Sequence, residues 1–516
     1  MDTSIKVKLL GGTVYGNNLT GSCLLLTVRQ GKNITRALID AGLIQCGHKD
    51  FVAKNRAILA ELKPEQLDYV ILTHAHTDHI GRLPLLVKNG FNGKSRILCT
   101  EPTANILGIM LEDSANIQEI EIARLNKPKA QPPRRLARDR SRRALGKYDK
   151  LKDKAKNRGQ AEKINSVLYD LSDVEKTCDL VKNGGCQYQE WLRLSHNVWL
   201  KFYQSGHVLG GAICVIRIKT RAKDVYFGFS GDLGRSDGII LPPAAKITEP
   251  IDVWFTESTY GGKTHPDREA EIKKLIGIVK EAVPKKQKII IPSFALERAQ
   301  EIIYLLSYYM QAGDIPKIKI YLDSPMAAKI TDVFADSWDE GMFADQDKLK
   351  FNPFSKEANK CLKVVTKKID SDGLIAKSGP YVVVAGSGMC EAGRVRSHLR
   401  AGLGDTNLIV CLVGYMVEQS LGNKLQQGLN IVRMNGQEII IKAKIDCFDS
   451  FSAHADGRTL VSYARSVMNK NNSDKKIFII HGDEKNAGSL KLAMMAALNM
   501  DEEHVVIPEL NQEIVF

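Results

Sequence analysis

Apolar residues along this chain fall into short runs of strand length, broken by stretches with helical spacing. Residues 5–100 give several short strands with a turn at Asn17-Asn18. The positions Ile106, Leu107, Met110 and Leu111 predict a helix over about 102–124, and another covers about 172–183. Strand character returns over 196–232. From roughly 263 to 445 strands and helices alternate. Ile289-Ile290-Ile291-Pro292 leads into a helix from Arg298 to Met310, and Ile318 to Tyr321 into one from Met326 to Asp336. Tyr381-Val382-Val383-Val384-Ala385 then meets the Gly-rich turn Gly386-Ser387-Gly388. This is an α/β pattern, with a doubly wound parallel sheet in the second unit. Strand character reappears over Asp446–Ser452 and Lys476–Ile480, which returns the chain to its first unit. No internal repeat or long low-complexity tract interrupts the pattern.

A length of 516 residues with 44% hydrophobic residues is expected to form two to four domains with full cores. The segment Met1-Asp2-Thr3-Ser4-Ile5-Lys6-Val7-Lys8 is not an apolar signal, and no run approaches the roughly 18 apolar residues of a membrane span. A cytoplasmic protein with no membrane partner is therefore expected. Ten cysteines lack CxxC pairs or framework spacing, which argues against structural disulfides and a cysteine zinc finger. Cys23, Cys214 and Cys411 sit in apolar strands as plain core residues. The net charge is +14, and residues 134–158 alone hold twelve Lys/Arg against three Asp. Following Pro128 and Pro132-Pro133, that segment would attract a polyphosphate backbone without reading sequence, or stand as a solvated basic stretch.

Chemistry concentrates at Thr73-His74-Ala75-His76-Thr77-Asp78-His79, directly after the apolar run Tyr69-Val70-Ile71-Leu72. Three of the chain's 11 histidines lie there with a carboxylate, at the tip of a predicted strand. Neutral imidazole and carboxylate hold zinc or a similar divalent ion, and two ions about 3.5–4 Å apart can share one activated hydroxide. A polar loop capping a helix near Asp78 is the bland alternative. Such a site needs further ligands from downstream strand ends. His207, in Gln204-Ser205-Gly206-His207-Val208-Leu209-Gly210-Gly211, and Asp232, in Phe229-Ser230-Gly231-Asp232-Leu233-Gly234, fit that need.

With Asp40 in Ala37-Leu38-Ile39-Asp40-Ala41-Gly42, these residues resemble the four successive motifs of the metallo-β-lactamase superfamily. Four more segments are similar to the extra motifs of its β-CASP nucleic-acid nucleases. They are Thr256-Glu257-Ser258-Thr259-Tyr260-Gly261, Pro292-Ser293-Phe294-Ala295-Leu296-Glu297-Arg298-Ala299-Gln300, Phe451-Ser452-Ala453-His454-Ala455-Asp456 and Ile480-His481-Gly482-Asp483. The resemblance covers nearly the whole chain except the basic insertion at about 128–165. It implies a metallo-β-lactamase αββα sandwich, residues 1–262 and 446–516, with an inserted parallel-sheet β-CASP domain over 263–445 and the active site in the cleft between them. Such a cleft suits a long polymer.

By the same resemblance, His74, His76 and His207 bind a first metal, Asp78, His79 and His481 a second, and Asp232 bridges them, with Asp40 orienting a ligand or the attacking water. Two Zn2+ are implied, or Mn2+. The expected reaction is hydrolysis of RNA phosphodiester bonds by a bridging hydroxide, leaving a 5′-phosphate and a 3′-hydroxyl. His454, held protonated by Glu257, is the implied general acid for the leaving alkoxide. Successive N–H groups at Ser387-Gly388-Met389 are candidates to cradle a substrate phosphate, with Arg394 and Arg298 as charge partners or equally as members of an interdomain salt bridge, and Tyr260 and Tyr415 as stacking groups or simple core residues. RNA, single-stranded, is favoured over DNA because the RNA-directed branches of the family carry a histidine at the last motif, here His481. A homodimer is open, since family members often dimerise. The rival readings are a thioester or lactam hydrolase of the same superfamily, a DNA-directed nuclease, and a catalytically silent RNA-binding scaffold.

Overall fold

The computed structural model describes residues 3–14, 21–45, 48–92, 96–125, 167–181, 185–344, 346–414, 416–468 and 475–516. The expected turn at Asn17-Asn18, the basic insertion and Tyr415 lie outside them. Two seven-stranded sheets form the first unit. One runs, in spatial order, Glu513–Val515, Thr3–Gly11, Cys23–Gln30, Asn33–Ile39, Tyr69–Ile71, Arg96–Thr100 and Gly185–Cys186. The other runs Val505–Val506, Lys476–Ile479, Val253–Thr256, Asp224–Phe229, Ala212–Lys219, Val198–Gln204 and Leu192–Ser195.

The period-2 pattern decides which faces meet. Ile5, Val7 and Leu9 are buried while Lys6 and Lys8 between them are not, so one face of the first sheet is greasy and the other partly wet. That face packs Leu24, Leu26, Val28, Ala37 and Ile39 against Phe202, Cys214, Ile216, Phe227, Phe229 and Phe255 of the second sheet. Phe255 stacks between Phe229 and Phe478 at centroid distances of 4.8 and 4.9 Å. Each such side chain contributes about 1.5–3 kcal/mol by leaving water. The two remaining faces need cover and receive helices. Leu38, Val70, Ile97 and Cys99 meet Ile106, Leu107 and Leu111 of the helix Glu101–Leu125. Trp254, Ile477 and Ile479 meet Leu460 and Ala464 of Gly457–Val467 and Leu490 and Met494 of Glu484–Leu498. The result is an αββα sandwich. No helix among the described residues is long and apolar enough to cross a membrane.

The second unit is a six-stranded sheet in the order Leu362–Val364, Lys319–Asp323, Tyr381–Ala385, Lys288–Pro292, Leu408–Leu412, Lys444–Cys447, with every pair parallel. Parallel strands are buried on both faces, which is why Tyr381–Ala385 and Leu408–Leu412 are apolar without alternation. One face packs the helices Arg268–Ala282, Arg298–Ala312 and Pro325–Asp336, the other Lys368–Ala376, Val395–Gly402 and Leu421–Gln426. The expected strand over Asp446–Ser452 is corrected. Asp446 and Cys447 pair with Cys411 and Leu412 at the edge of this second sheet, and the chain then leaves it as a loop. Their apolar and polar pattern was compatible with either sheet, and pairing with Leu408–Leu412 decided it. Lys476–Ile479 does rejoin the sandwich, parallel to Val253–Thr256. As expected for plain core residues, Cys23, Cys214 and Cys411 are fully buried.

Candidate metal centre

The site lies where strands of both sandwich sheets end. Asp40 follows Asn33–Ile39, the histidine cluster follows Tyr69–Ile71, His207 follows Val198–Gln204, Asp232 follows Asp224–Phe229 and His481 follows Lys476–Ile479. Backbone bonds lace these tips together. Asp40 N–H donates to Ile71 O at 2.9 Å, Ala41 N–H to His79 O at 2.7 Å, and Ser22 N–H to Asp78 O at 2.8 Å. Between the sheets, Ala212 N–H donates to Thr73 O at 2.8 Å, and His481 N–H to Gly12 O at 2.7 Å. A side chain at Gly42 would put its Cβ 1.6 Å from Asp78 O, so only glycine lets the Asp40 loop close on the histidine loop.

Seven side chains converge in two groups that share one carboxylate. His74 Nε2 lies 3.0 Å from His76 Nδ1, which lies 3.3 Å from His207 Nε2, and both Nε2 atoms lie 3.5 Å from Asp232 Oδ2. On the other carboxylate oxygen, Asp232 Oδ1 lies 3.3 Å from His79 Nε2 and 3.6 Å from His481 Nε2, which lies 3.8 Å from Asp78 Oδ2. The donor set is three nitrogens and an oxygen in one group, two nitrogens and two oxygens in the other, with Asp232 common to both. His79 Nε2 and Asp232 Oδ1 are buried without a hydrogen bond. Unpaired buried polar atoms are costly, and a cation of the zinc type fits this chemistry.

The opposite ring nitrogens of His79 and His481 are fixed by neighbours, whereas His207 Nδ1 is buried with no hydrogen bond among the described residues. Asp40 Oδ2 accepts from His79 Nδ1 at 2.7 Å, while its carboxylate also takes Thr73 N–H and Thr73 Oγ1, each at 2.8 Å. Ser22 Oγ lies 2.8 Å from His481 Nδ1. These contacts set ring orientation and leave Nε2 aimed at the cluster. Burial, with His79 adding to it, holds His74 well below the ordinary imidazole pKa, and burial pushes His76 to about 4. Neutral imidazoles are what a cation requires. Burial opposes charge on His79 too, but Asp232 and Asp40 outweigh it and raise its pKa. For Asp232, burial is outweighed by His481, His79 and His74, so the carboxylate stays ionised.

Beside Asp232 stands a second pair. His454 Nδ1 lies 3.3 Å from Glu257 Oε1 and 4.0 Å from Asp232 Oδ2, and its ring centroid is 4.4 Å from that of His207. Glu257 is fully buried, taking Leu233 N–H at 2.7 Å and Thr259 N–H at 3.2 Å. Burial lowers the His454 pKa, but Glu257 overrides it and lifts the value to about 9. Its backbone is pinned by His265 Nε2 on His454 O at 3.0 Å and by Ala455 N–H on Leu233 O at 2.7 Å.

Comparison with known proteins accords with this geometry. Residues 19–97 match the metallo-beta-lactamase superfamily, 299–425 the Beta-Casp domain, and 438–508 the Zn-dependent metallo-hydrolase RNA specificity domain. The chain is 30% identical over 488 residues to ribonuclease TTHA0252 of Thermus thermophilus, covering 94% of this chain and 95% of that one. It is 25% identical to the RNase J-like protein of Methanocaldococcus jannaschii, with 93% of each chain covered. It is 26% identical to transcription termination factor FttA of Methanosarcina mazei, covering 97% of this chain and 70% of that one. The chain belongs to the β-CASP branch of the metallo-β-lactamase superfamily.

On the β-CASP side, the loop Gly386–Arg394 sits at the carboxyl end of Tyr381–Ala385, where open α/β sheets take ligands. Ser387 N–H is engaged within the loop, donating to Ala392 O at 3.2 Å. The N–H groups of Gly388 and Met389 make no hydrogen bond among the described residues. Of the two expectations for Arg394, phosphate partner or salt bridge, the structure shows an ion pair, made within its own unit. Its Nη1 binds Asp323 Oδ1 at 2.6 Å and Val365 O at 2.8 Å, and its Nη2 binds Thr366 O, because Asp323 is a buried carboxylate at a strand end that needs a cation. Arg298 pairs with Glu301 one turn along its own helix. Tyr260 packs beside His265 and His454, at centroid distances of 4.7 and 6.0 Å.

Ser22, Thr73, His265 and Glu297 escaped the sequence reading. Glu297, buried at φ +71°, accepts Leu209 N–H at 3.0 Å and so ties the β-CASP unit to the His207 loop. Thr73 and Glu297 lie inside recognised motifs, whereas nothing local marks Ser22, 459 residues from its partner. Replacing Asp40 by Asn keeps shape but removes one acceptor from a carboxylate that serves three donors. Metal affinity is expected to fall about 10- to 100-fold by chelator competition, with circular dichroism unchanged. Unaltered affinity would remove Asp40 from the support of the centre.

Proposed function

We propose that this chain is a metal-dependent ribonuclease that hydrolyses phosphodiester bonds of single-stranded RNA, leaving a 5′-phosphate and a 3′-hydroxyl. One observation carries the reading: Asp232 faces His74 and His207 through one oxygen and His79 and His481 through the other, and His454, paired with Glu257, stands 4.0 Å from its Oδ2 atom. That arrangement supports a reading in which charge stabilisation and a proton donor act on one reacting centre. The match of residues 438–508 to an RNA specificity domain, and relatives named as ribonucleases, support RNA as the polymer.

In this reading His74, His76 and His207 hold one ion, Asp78, His79 and His481 a second, and Asp232 both. Zinc is the assigned metal, with manganese the alternative for the oxygen-richer group. Two cations there would lower the pKa of a shared water and neutralise charge on the phosphoryl oxygens. Asp40 keeps the His79 ring in register through Nδ1. Glu257 holds the His454 proton, which passes to the departing 3′ oxygen. Residues 1–262 and 448–516 act as the metal-holding unit and 263–447 as the unit that grips the strand, the second boundary falling after Lys444–Cys447 because that strand pairs with Leu408–Leu412, and each boundary being part of the proposal.

The test uses the intact protein with 5′-labelled and internally labelled single-stranded RNA. Cleavage is expected to stop on exhaustive chelation and return with added zinc or manganese, giving products whose 5′ ends can be ligated. Full turnover after chelation overturns the reading. Intact RNA beside rapid thioester or lactam hydrolysis would place the chain among small-molecule hydrolases.

A further inference from the structure

Phe294 is a large apolar side chain left 41% exposed in a loop whose neighbours are buried. The loop follows Lys288–Pro292 at the same carboxyl end of the parallel sheet as Gly386–Arg394. Its two ends are anchored to the two halves of the molecule. Ser293 N–H donates to Ala385 O at 2.9 Å, and Glu297 accepts from Leu209, two residues beyond His207. Two residues, Ala295 and Leu296, separate Phe294 from Glu297, so chain length alone keeps their Cα atoms within about 11 Å. Phe294 therefore belongs to the short loop that joins the two halves, with its ring against Gly388 of the Ser387–Met389 turn.

Two glycines lie against its ring. A Cβ at Gly388 would come 2.9 Å from Phe294 Cδ2 and Cε2, and one at Gly414 would come 3.6 Å from Cε2. Side chains at either place would push the ring away or cover it. In the loop against the ring, the N–H groups of Gly388 and Met389 make no hydrogen bond among the described residues, nor does the buried Oγ of Ser293, the residue before Phe294. An exposed aromatic ring set against unpaired amide donors answers the two halves of a nucleotide, its base and its phosphate.

We infer that Phe294 stacks on one base of the bound strand, forming with the Gly388 and Met389 amides a nucleotide subsite that fixes which phosphate reaches the metal centre. This rests on the proposed action on RNA and adds a positioning residue to it. Stacking is tolerant of base identity, so the subsite sets register along the strand and not sequence.

The experiment scans 2-aminopurine through a single-stranded RNA and reads its fluorescence on binding in chelator, where no turnover intervenes. One position is expected to be quenched by the unaltered protein. Phe294→Ala should abolish that quench and raise KM for cleavage about tenfold or more, with kcat close to the unaltered value. Phe294→Tyr should keep both. Gly388→Ala, which displaces the ring, should behave like Phe294→Ala. A uniform quench along the RNA, or an unchanged KM in Phe294→Ala, overturns the inference while leaving the nuclease reading intact. Failure of the unaltered protein to cleave RNA would instead defeat that reading.

Discussion

Replacing Asp232 by Ala is expected to remove both bound ions and to lower RNA cleavage by at least about a thousandfold, some 4 kcal/mol of transition-state stabilisation. The size follows from its place. Asp232 is 2% exposed and is the one carboxylate within 3.5 Å of His74 and His207 through one oxygen and of His79 through the other. Taking away His481 or Asp78 would strip one group of a donor. Taking away Asp232 removes an oxygen from each group and the negative charge that the imidazoles surround. Elemental analysis of the purified variant should find little metal, against near two equivalents in the unaltered protein. Asp232→Asn separates charge from shape, since it keeps one acceptor oxygen but offers an NH2 to the other group. It should retain less than half the metal and little activity. A variant that kept two ions and its cleavage rate would sink the assignment of Asp232 as the shared ligand.

How much of this was legible beforehand depended on whether a feature is local. The histidine cluster announced itself because four donors fall within six residues at a strand end, and its partners His207, Asp232 and His481 each sit at strand tips the pattern could place. The sandwich and the parallel sheet were legible for a similar reason: alternating and continuous apolar runs report one or two buried faces. Asp446 and Cys447 were misplaced because a short strand with half-buried positions carries no mark of which sheet it joins. The sequence leaves Arg394 between phosphate partner and salt bridge, because a basic residue after a Gly-rich turn carries no local mark of its partner. Its engagement with Asp323 spans 71 residues and exists only after the sheet has formed. Phe294 could be named as part of a motif, but its exposure arises from the glycines of two other strand ends.

Replacing His454 by Ala is expected to slow RNA cleavage about 10²- to 10⁴-fold while leaving the metal content unchanged. The imidazole's nearest polar partner among the described residues is Glu257 at 3.3 Å, and the side chain is 20% exposed, so truncation opens little buried volume and leaves the seven donors in place. The more discriminating result lies in the leaving group. An RNA 3′ alkoxide is a strong base and needs a proton as the phosphorus–oxygen bond breaks, whereas a nitrophenolate leaves without one. With a p-nitrophenyl phosphodiester, His454→Ala should therefore approach the unaltered protein, and Asp232→Ala should remain inactive. Glu257→Gln is a poorer probe, because Glu257 accepts Leu233 N–H and Thr259 N–H as well as the imidazole, and an amide would turn an NH2 against one of them. Equal losses on both substrates would mean that His454 orders the site and does not deliver the proton.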